Sequence, residues 1–288
     1  ERAAGDAIER LGDLQGATKD LADCLGLPVP EGPEETETLL KAADWTLRAP
    51  DLTGLNPTSE VFRVQAGPLA ELVEAGERYE KLHEEYDDVL IPEAWDQDVF
   101  DIRQGLAKHG EKWYRWIFSE WRQAKNDLAA LCKKSVPRGT EARLGLVDAI
   151  LEAQRLEEQF EEEASLGKEA FGSVWRGASS DWTVLREATD YLTALQEAIS
   201  EGTLPEALLD TIADPPEEDR LEALAEEVRQ TRDAHRESAA AFSEEIELDS
   251  AVRFDGEPLT AQLYEQQRNT FCECRDEAPR IQEMVTYN

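Results

Sequence analysis

The chain has 288 residues, 41% of them hydrophobic, with 64 acidic against 30 basic side chains and a formal net charge of −34. That apolar share is enough for a folded core, not a disordered tail, and no run of about eighteen apolar residues is present to cross a bilayer. A phosphate backbone meets repulsion over most of such a surface, which disfavours general nucleic-acid binding and leaves only local contact.

The same charge fits an acidic, salt-adapted proteome, or a surface that recruits a basic partner. Four cysteines, Cys24, Cys132, Cys272 and Cys274, are too scattered for a disulfide framework and point to a reducing, cytoplasmic setting. Cys272 and Cys274 stand two apart in a helical pattern, about 200° around the helix, so they do not easily hold one metal together. The chain opens on Glu1 without an initiator methionine or a signal core, so a piece of a longer polypeptide is expected.

In chain order, Ala3 to Leu25 carries Ile8, Leu11, Leu14, Leu21 and Leu25 at helical spacing and stops at Gly26 before Pro28. After a turn through Pro33, periodicity resumes from Glu34 to Leu47 and ends before Pro50. Asp51 to Pro57 reads as a loop. A helix is predicted from Val64 to Leu90, closed by Ile91-Pro92, and two more from Asp98 to Lys108 and from Glu111 to Lys133. Val136, Pro137 and Gly139 break the pattern. Glu141 to Ala170 then runs for about thirty residues with apolar positions at every third or fourth, long enough to act as an arm. Further helices are predicted over Trp182 to Ser200, Leu204 to Ile212, Glu217 to about Glu247 behind Pro215-Pro216, and Pro258 to Tyr287, kinked or ended at Pro279.

No alternating strand pattern of useful length appears. The expected fold is therefore all-α, an elongated set of antiparallel helical hairpins or a coiled-coil-like bundle. Its expected divisions are an N-terminal bundle over 1–135, a long hairpin arm over 136–256 and a returning helix over 257–288.

Signals for catalysis are weak. His83 follows Glu80 at the spacing used in di-iron bundles, but His109 and His235 lack the matching glutamate, so the second half of such a site is missing and a solvated charged face is the better reading. Leu166-Gly167-Lys168 lacks the preceding glycine, the following Ser or Thr and the strand of a phosphate loop. No nucleophile elbow or Cys/His pairing is present. No catalytic residue, metal ligand or cofactor is assigned.

One stretch inverts the background charge. Between Lys108 and Arg143, the bases Lys108, Lys112, Arg115, Arg122, Lys125, Lys133, Lys134, Arg138 and Arg143 outnumber Glu111, Glu120, Asp127 and Glu141. On a helical wheel Lys108, Lys112, Arg115, Arg122 and Lys133 share one broad side, opposite Trp113, Ile117, Trp121, Ala124, Leu128 and Leu131. The tryptophans read as core and the bases as a stripe. That stripe either pairs with acidic helices of the same protein or contacts nucleic acid, with Lys108, Lys112, Arg115, Arg122, Lys125, Lys133, Lys134 and Arg138 as the candidate contacts.

Between two long helical patterns lies LGKEAFGSVWRGASSDW, Leu166 to Trp182. Gly177 can take a positive φ, Ser180 or Asp181 can cap the next helix, and Trp175 and Trp182 can close the turn. With Val174-Trp175-Arg176-Gly177 followed by Ser180-Asp181-Trp182, this segment resembles the Trp-x-Gly and Ser/Thr-Asp-Trp turn in the long helical insertion of very large bacterial superfamily-one helicases. The resemblance extends loosely in order through Leu25-Gly26-Leu27-Pro28, Pro92 with Trp95, Trp113 to Arg122 with Lys125 to Leu131, and Val285-Thr286-Tyr287-Asn288. It implies a non-catalytic insertion of an ATP-dependent DNA helicase or translocase, touching DNA, a partner protein or the parent motor. ATP and magnesium would belong to P-loop domains elsewhere in the parent. The competing reading is an acidic helical scaffold for protein assembly, unrelated to nucleic acid; a small helical enzyme lacks the residues to build a polar pocket.

Overall fold

The computed structural model describes residues 2–110 and 114–245, with side chains described over 5–110 and 114–242. The fold is all-α. Eleven helices follow one another among the described residues: α1 (Arg2–Leu25), α2 (Pro33–Leu47), α3 (Val61–Val64), α4 (Ala66–Tyr86), α5 (Phe100–His109), α6 (Ser119–Ala130), α7 (Thr140–Glu162), α8 (Ala164–Phe171), α9 (Trp182–Ser200), α10 (Leu208–Ala213) and α11 (Glu218–Glu245). No strand occurs among these residues; one antiparallel backbone bridge joins Leu90 to Cys132. No described helix is long and apolar enough to cross a membrane. The returning helix expected over 257–288, with Cys272, Cys274 and Val285 to Asn288, lies outside the described residues.

The chain divides into two compact units, one built from Glu1–Ala49 and Ala198–Asn288, the other from Pro50–Glu197. No boundary falls near residue 135, and 136–256 is not a body of its own. The reason is packing: α7 buries its stripe against α4 and α5, whereas α11 buries its stripe against α1.

In the first unit, α1 buries Ala7, Leu11, Leu14, Thr18, Leu21 and Leu25, positions that recur at alternating steps of four and three. Leu221, Ala225, Val228 and His235 of α11 are buried in the same rhythm, with Arg232 filling the missing step. His235 lies against the Ala7 backbone, and Thr211, just before α11, donates to the Leu25 carbonyl at 2.5 Å, so the pair runs antiparallel. Each fully buried leucine of this seam contributes about 1.5–3 kcal/mol by leaving water. Helix α1 ends as its glycine predicts: Gly26 has φ +64, and the Leu27 amide donates back to the Ala22 carbonyl at 2.9 Å. Pro33 opens α2, which is tied to α11 by Asp44–Arg229 at 2.5 Å and Glu37–Arg232 at 2.6 Å. Helix α11 starts behind Pro215-Pro216 with Glu218 as its first residue, so the prolines precede the helix and do not occupy its first turn.

The second unit is threaded by touching rings. Trp95, His83, Tyr79, Phe160, Trp182, Trp175, Phe171 and Phe62 follow one another at centroid distances of 4.0, 4.4, 5.7, 4.9, 5.7, 6.1 and 6.3 Å. These rings come from α3, α4, α7, α8, α9 and the loops between them, so one aromatic line ties the unit together. Polar ties flank it: Arg78 forks onto Glu152 at 2.9 and 3.1 Å, Arg186 onto Glu77 at 2.9 and 2.6 Å, and Arg103 reaches Asp148 at 2.6 Å.

Outside the basic stretch, two predicted helices are broken. The arm expected over Glu141 to Ala170 is interrupted at Glu163 (φ −95, ψ 12), where α7 gives way to α8. The helix expected over Val64 to Leu90 is preceded by the short α3 and ends at Tyr86, because Val89 to Lys133 is a meeting of chain segments: Ile91 donates to Leu131 at 3.0 Å and Lys133 to Val89 at 2.8 Å.

Candidate nucleic-acid interface

The basic stretch is not one helix. Helix α5 stops at His109, a 3-10 turn spans Arg115–Ile117, Phe118 is extended, and α6 begins only at Ser119. Trp116, Ile117 and Phe118 lose side-chain freedom on a helix, which weakens the helical alternative here. Gly110 is pressed so closely against Thr140 and the Leu106 carbonyl that a Cβ there would collide with them. A wheel drawn through 108 to 133 therefore mixes residues from separate elements.

This break sorts the candidate contacts. Lys108 binds Glu120 at 2.9 Å, and the buried His109, stacked on Phe118 at 4.1 Å, lies 2.9 Å from the same carboxylate. The hydrogen bond from Lys108, then that from His109, hold Glu120 below the usual glutamate range. Arg115 donates to the Gly110 carbonyl at 2.5 Å and to the Thr140 hydroxyl at 3.1 Å. Lys133 reaches across to Asp87, at 3.2 Å from its carboxylate and also on its carbonyl. Lys125 lies over the Trp121 ring, 5.8 Å from its centroid. Arg122, Lys134 and Arg138 are exposed and form no side-chain ion pair among the described residues. Lys112 lies outside them, as does Trp113.

The apolar side is sorted too. Trp121, Ala124, Leu128 and Leu131 are buried, but Ile117, expected among them, is 57% exposed. Trp116 is 63% exposed and Tyr114 37%. A wheel that continues the helix through the turn misplaces Trp116; the signal in the sequence is the bulky run from Tyr114 to Phe118, four residues past Gly110.

The turn motif sits in the aromatic line of the second unit. Gly177 has φ +59, the Ser180 hydroxyl accepts from the Arg176 amide at 2.9 Å, and the Asp181 carboxylate accepts from the Val184 amide at 3.1 Å, capping α9. Trp175 and Trp182 are buried and meet edge to face at 5.7 Å. A Cβ at Gly167 would strike the Trp175 ring, and one at Gly76 the Trp182 ring. Helix α8 has already ended at Gly172, not at Gly177, because Gly172 (φ +53) passes so close to the Gly54 carbonyl that no side chain fits. Of the motif residues, Trp175 and Trp182 pack in the core, Gly177 supplies the positive-φ turn and Asp181 caps α9.

His83 is half-buried between Tyr79 and Trp95, away from the solvated role expected of it. Burial holds its imidazole below the ordinary histidine pKa, with Glu157 and Asp87 pulling the other way. Tyr79 donates to Glu157 at 2.5 Å; burial, and then that bond, push its phenol upward. Among the described residues no group of three or more His, Cys, Asp or Glu could hold a metal ion. No family model matches the chain, and neither curated proteins nor solved structures show significant similarity to it.

Proposed function

We propose that this chain is a non-catalytic helical arm of an ATP-dependent DNA helicase or translocase, and that the turn joining α5 to α6 touches single-stranded DNA. The observation that carries the contact is Trp116, an indole 63% exposed in the stretch where bases outnumber acids. An exposed indole offers a stacking face to an unpaired base, while Arg122, Lys125, Lys134 and Arg138 supply charge for phosphates. Duplex DNA hides its bases and offers no such face. The parent motor is inferred from the Trp175-x-Gly177 and Asp181-Trp182 resemblance, and ATP and magnesium belong to that motor.

Fluorescence-anisotropy titration with single-stranded, duplex and forked DNA at low and moderate salt tests this reading. Saturable, salt-sensitive binding that favours single strands is expected, with Trp116→Ala weakening it by about 5–150-fold, the equivalent of one stacked base. Reversing Arg122 and Lys134 to Glu should lower both the affinity and its salt dependence. Lack of binding to every DNA form removes the contact.

A second reading, an acidic module that docks a basic protein, draws support from the net charge of −34 and from Lys108, Arg115 and Lys133 being engaged inside the protein. Saturable binding of a lysine-rich peptide at moderate salt, without DNA binding, favours it.

A further inference from the structure

Two arginines meet at the start of α7, and no carboxylate among the described residues forms an ion pair with either. Arg143 is only 8% exposed; its Nε donates to the Pro137 carbonyl at 3.0 Å, and its Nη1 is buried with no hydrogen-bond partner. Arg115 reaches the same turn through Thr140 and Gly110. Both guanidiniums flank the Trp121 ring, at 5.6 and 5.3 Å from its centroid. Neither forms an ion pair among the described residues, whereas Arg78, Arg103, Arg186, Arg229 and Arg232 each find a carboxylate. In a chain with 64 acidic side chains, the lack of a described counter-ion at Arg143, the one buried arginine among the described residues, is informative.

The backbone adds positive charge at the same place. Helix α7 has 23 residues, and its N-cap, Gly139, offers no side chain to its first amides. The side chain of Thr140 turns away to donate to the Gly110 carbonyl at 2.7 Å. A helix N-terminus and two guanidiniums form a donor set suited to a tetrahedral oxyanion.

We infer that the first turn of α7, with Arg115 and Arg143, is a binding site for a phosphate group, free or carried on a nucleic-acid strand. The site does not rest on the DNA contact proposed above, since inorganic phosphate satisfies it. Burial, and then the nearby Arg115, push the Arg143 pKa down from its ordinary value, a strain that a bound anion relieves. The Trp121 π face offsets part of the charge without offering hydrogen-bond acceptors for the unfilled Nη1.

Thermal melting of the whole chain in sodium phosphate against sodium chloride at equal ionic strength reads the site directly. Phosphate should raise the midpoint by roughly 5 °C at a hundredfold excess over its Kd, with saturation. Arg143→Gln and Arg115→Gln should each abolish the rise, and Lys168→Gln, at an exposed position on α8, should leave it intact. A rise that grows without saturating and persists in both variants is a general salt effect and overturns the inference, as does the absence of any rise. Should Arg143→Gln fail to fold, isothermal titration of Arg115→Gln with inorganic phosphate decides: undiminished binding overturns the site. A single-stranded oligonucleotide that displaces phosphate identifies a strand as the source, and one that does not identifies the free ion.

Discussion

At Gly76 the missing side chain decides where α9 begins to pack, because the Trp182 indole occupies the space a Cβ would take. Gly145, on the neighbouring α7, has open space around its missing Cβ. Alanine at the two positions should therefore act in opposite directions. Gly76→Ala is expected to cost about 1–3 kcal/mol by overpacking, whereas Gly145→Ala should stabilise by up to about 1 kcal/mol through helix propensity. Urea denaturation measures both, and equal effects would discard the close-approach argument. The role of Trp182 in closing a turn can be read from its own neighbourhood, next to Asp181 and a helical pattern. Its seat on Gly76 cannot, because nothing local links a glycine in α4 to a tryptophan in α9. Exposure of Trp116 was hidden for a related reason: a wheel assigns a face only where the backbone stays helical.

At the level of helices, the four-and-three rhythm of α1 is visible along the chain, but its partner is not, since several stripes of similar width are available. The seam that forms with α11 contains His235. Burial holds its imidazole below the ordinary 6.5, with a hydrogen bond to the Ala7 backbone opposing the shift. A base with a depressed folded pKa takes up protons more readily in the unfolded chain, so its stabilising effect is full above about 6.5 and lost as pH falls below that value. Replacing His235 with Gln should remove this part of the pH dependence. Comparing unfolding free energies of the two proteins between about pH 7 and pH 5 checks it, and the wild type should lose more over that interval. Parallel profiles would clear His235 of the role. The breaks at Glu163 and between α5 and α6 are likewise tertiary choices. The first falls where a continuous pattern runs on in sequence; at the second, two helices are expected to meet near Gly110, and packing delays the start of α6 to Ser119.

For the whole molecule, a charge of −34 means that like charges crowd the folded chain more closely than the unfolded one. Screening shortens that repulsion to about 8 Å at physiological ionic strength. The thermal midpoint should accordingly rise from low salt to roughly physiological salt or above, and a flat midpoint in sodium chloride would show that self-repulsion contributes little to stability. Composition and periodicity determined by themselves that the chain is helical, and where most helices start and stop, because caps, prolines, glycines and apolar spacing act within a few residues. Tertiary structure alone decided that residues 1–49 join residues 198–288 in one unit, and which bases are engaged. Lys108, Arg115 and Lys133 are held by groups on other elements, while Arg122, Lys134 and Arg138 face solvent. Apolar stripes and charges carry no address for their partners; close packing and desolvation select among them only once the helices meet.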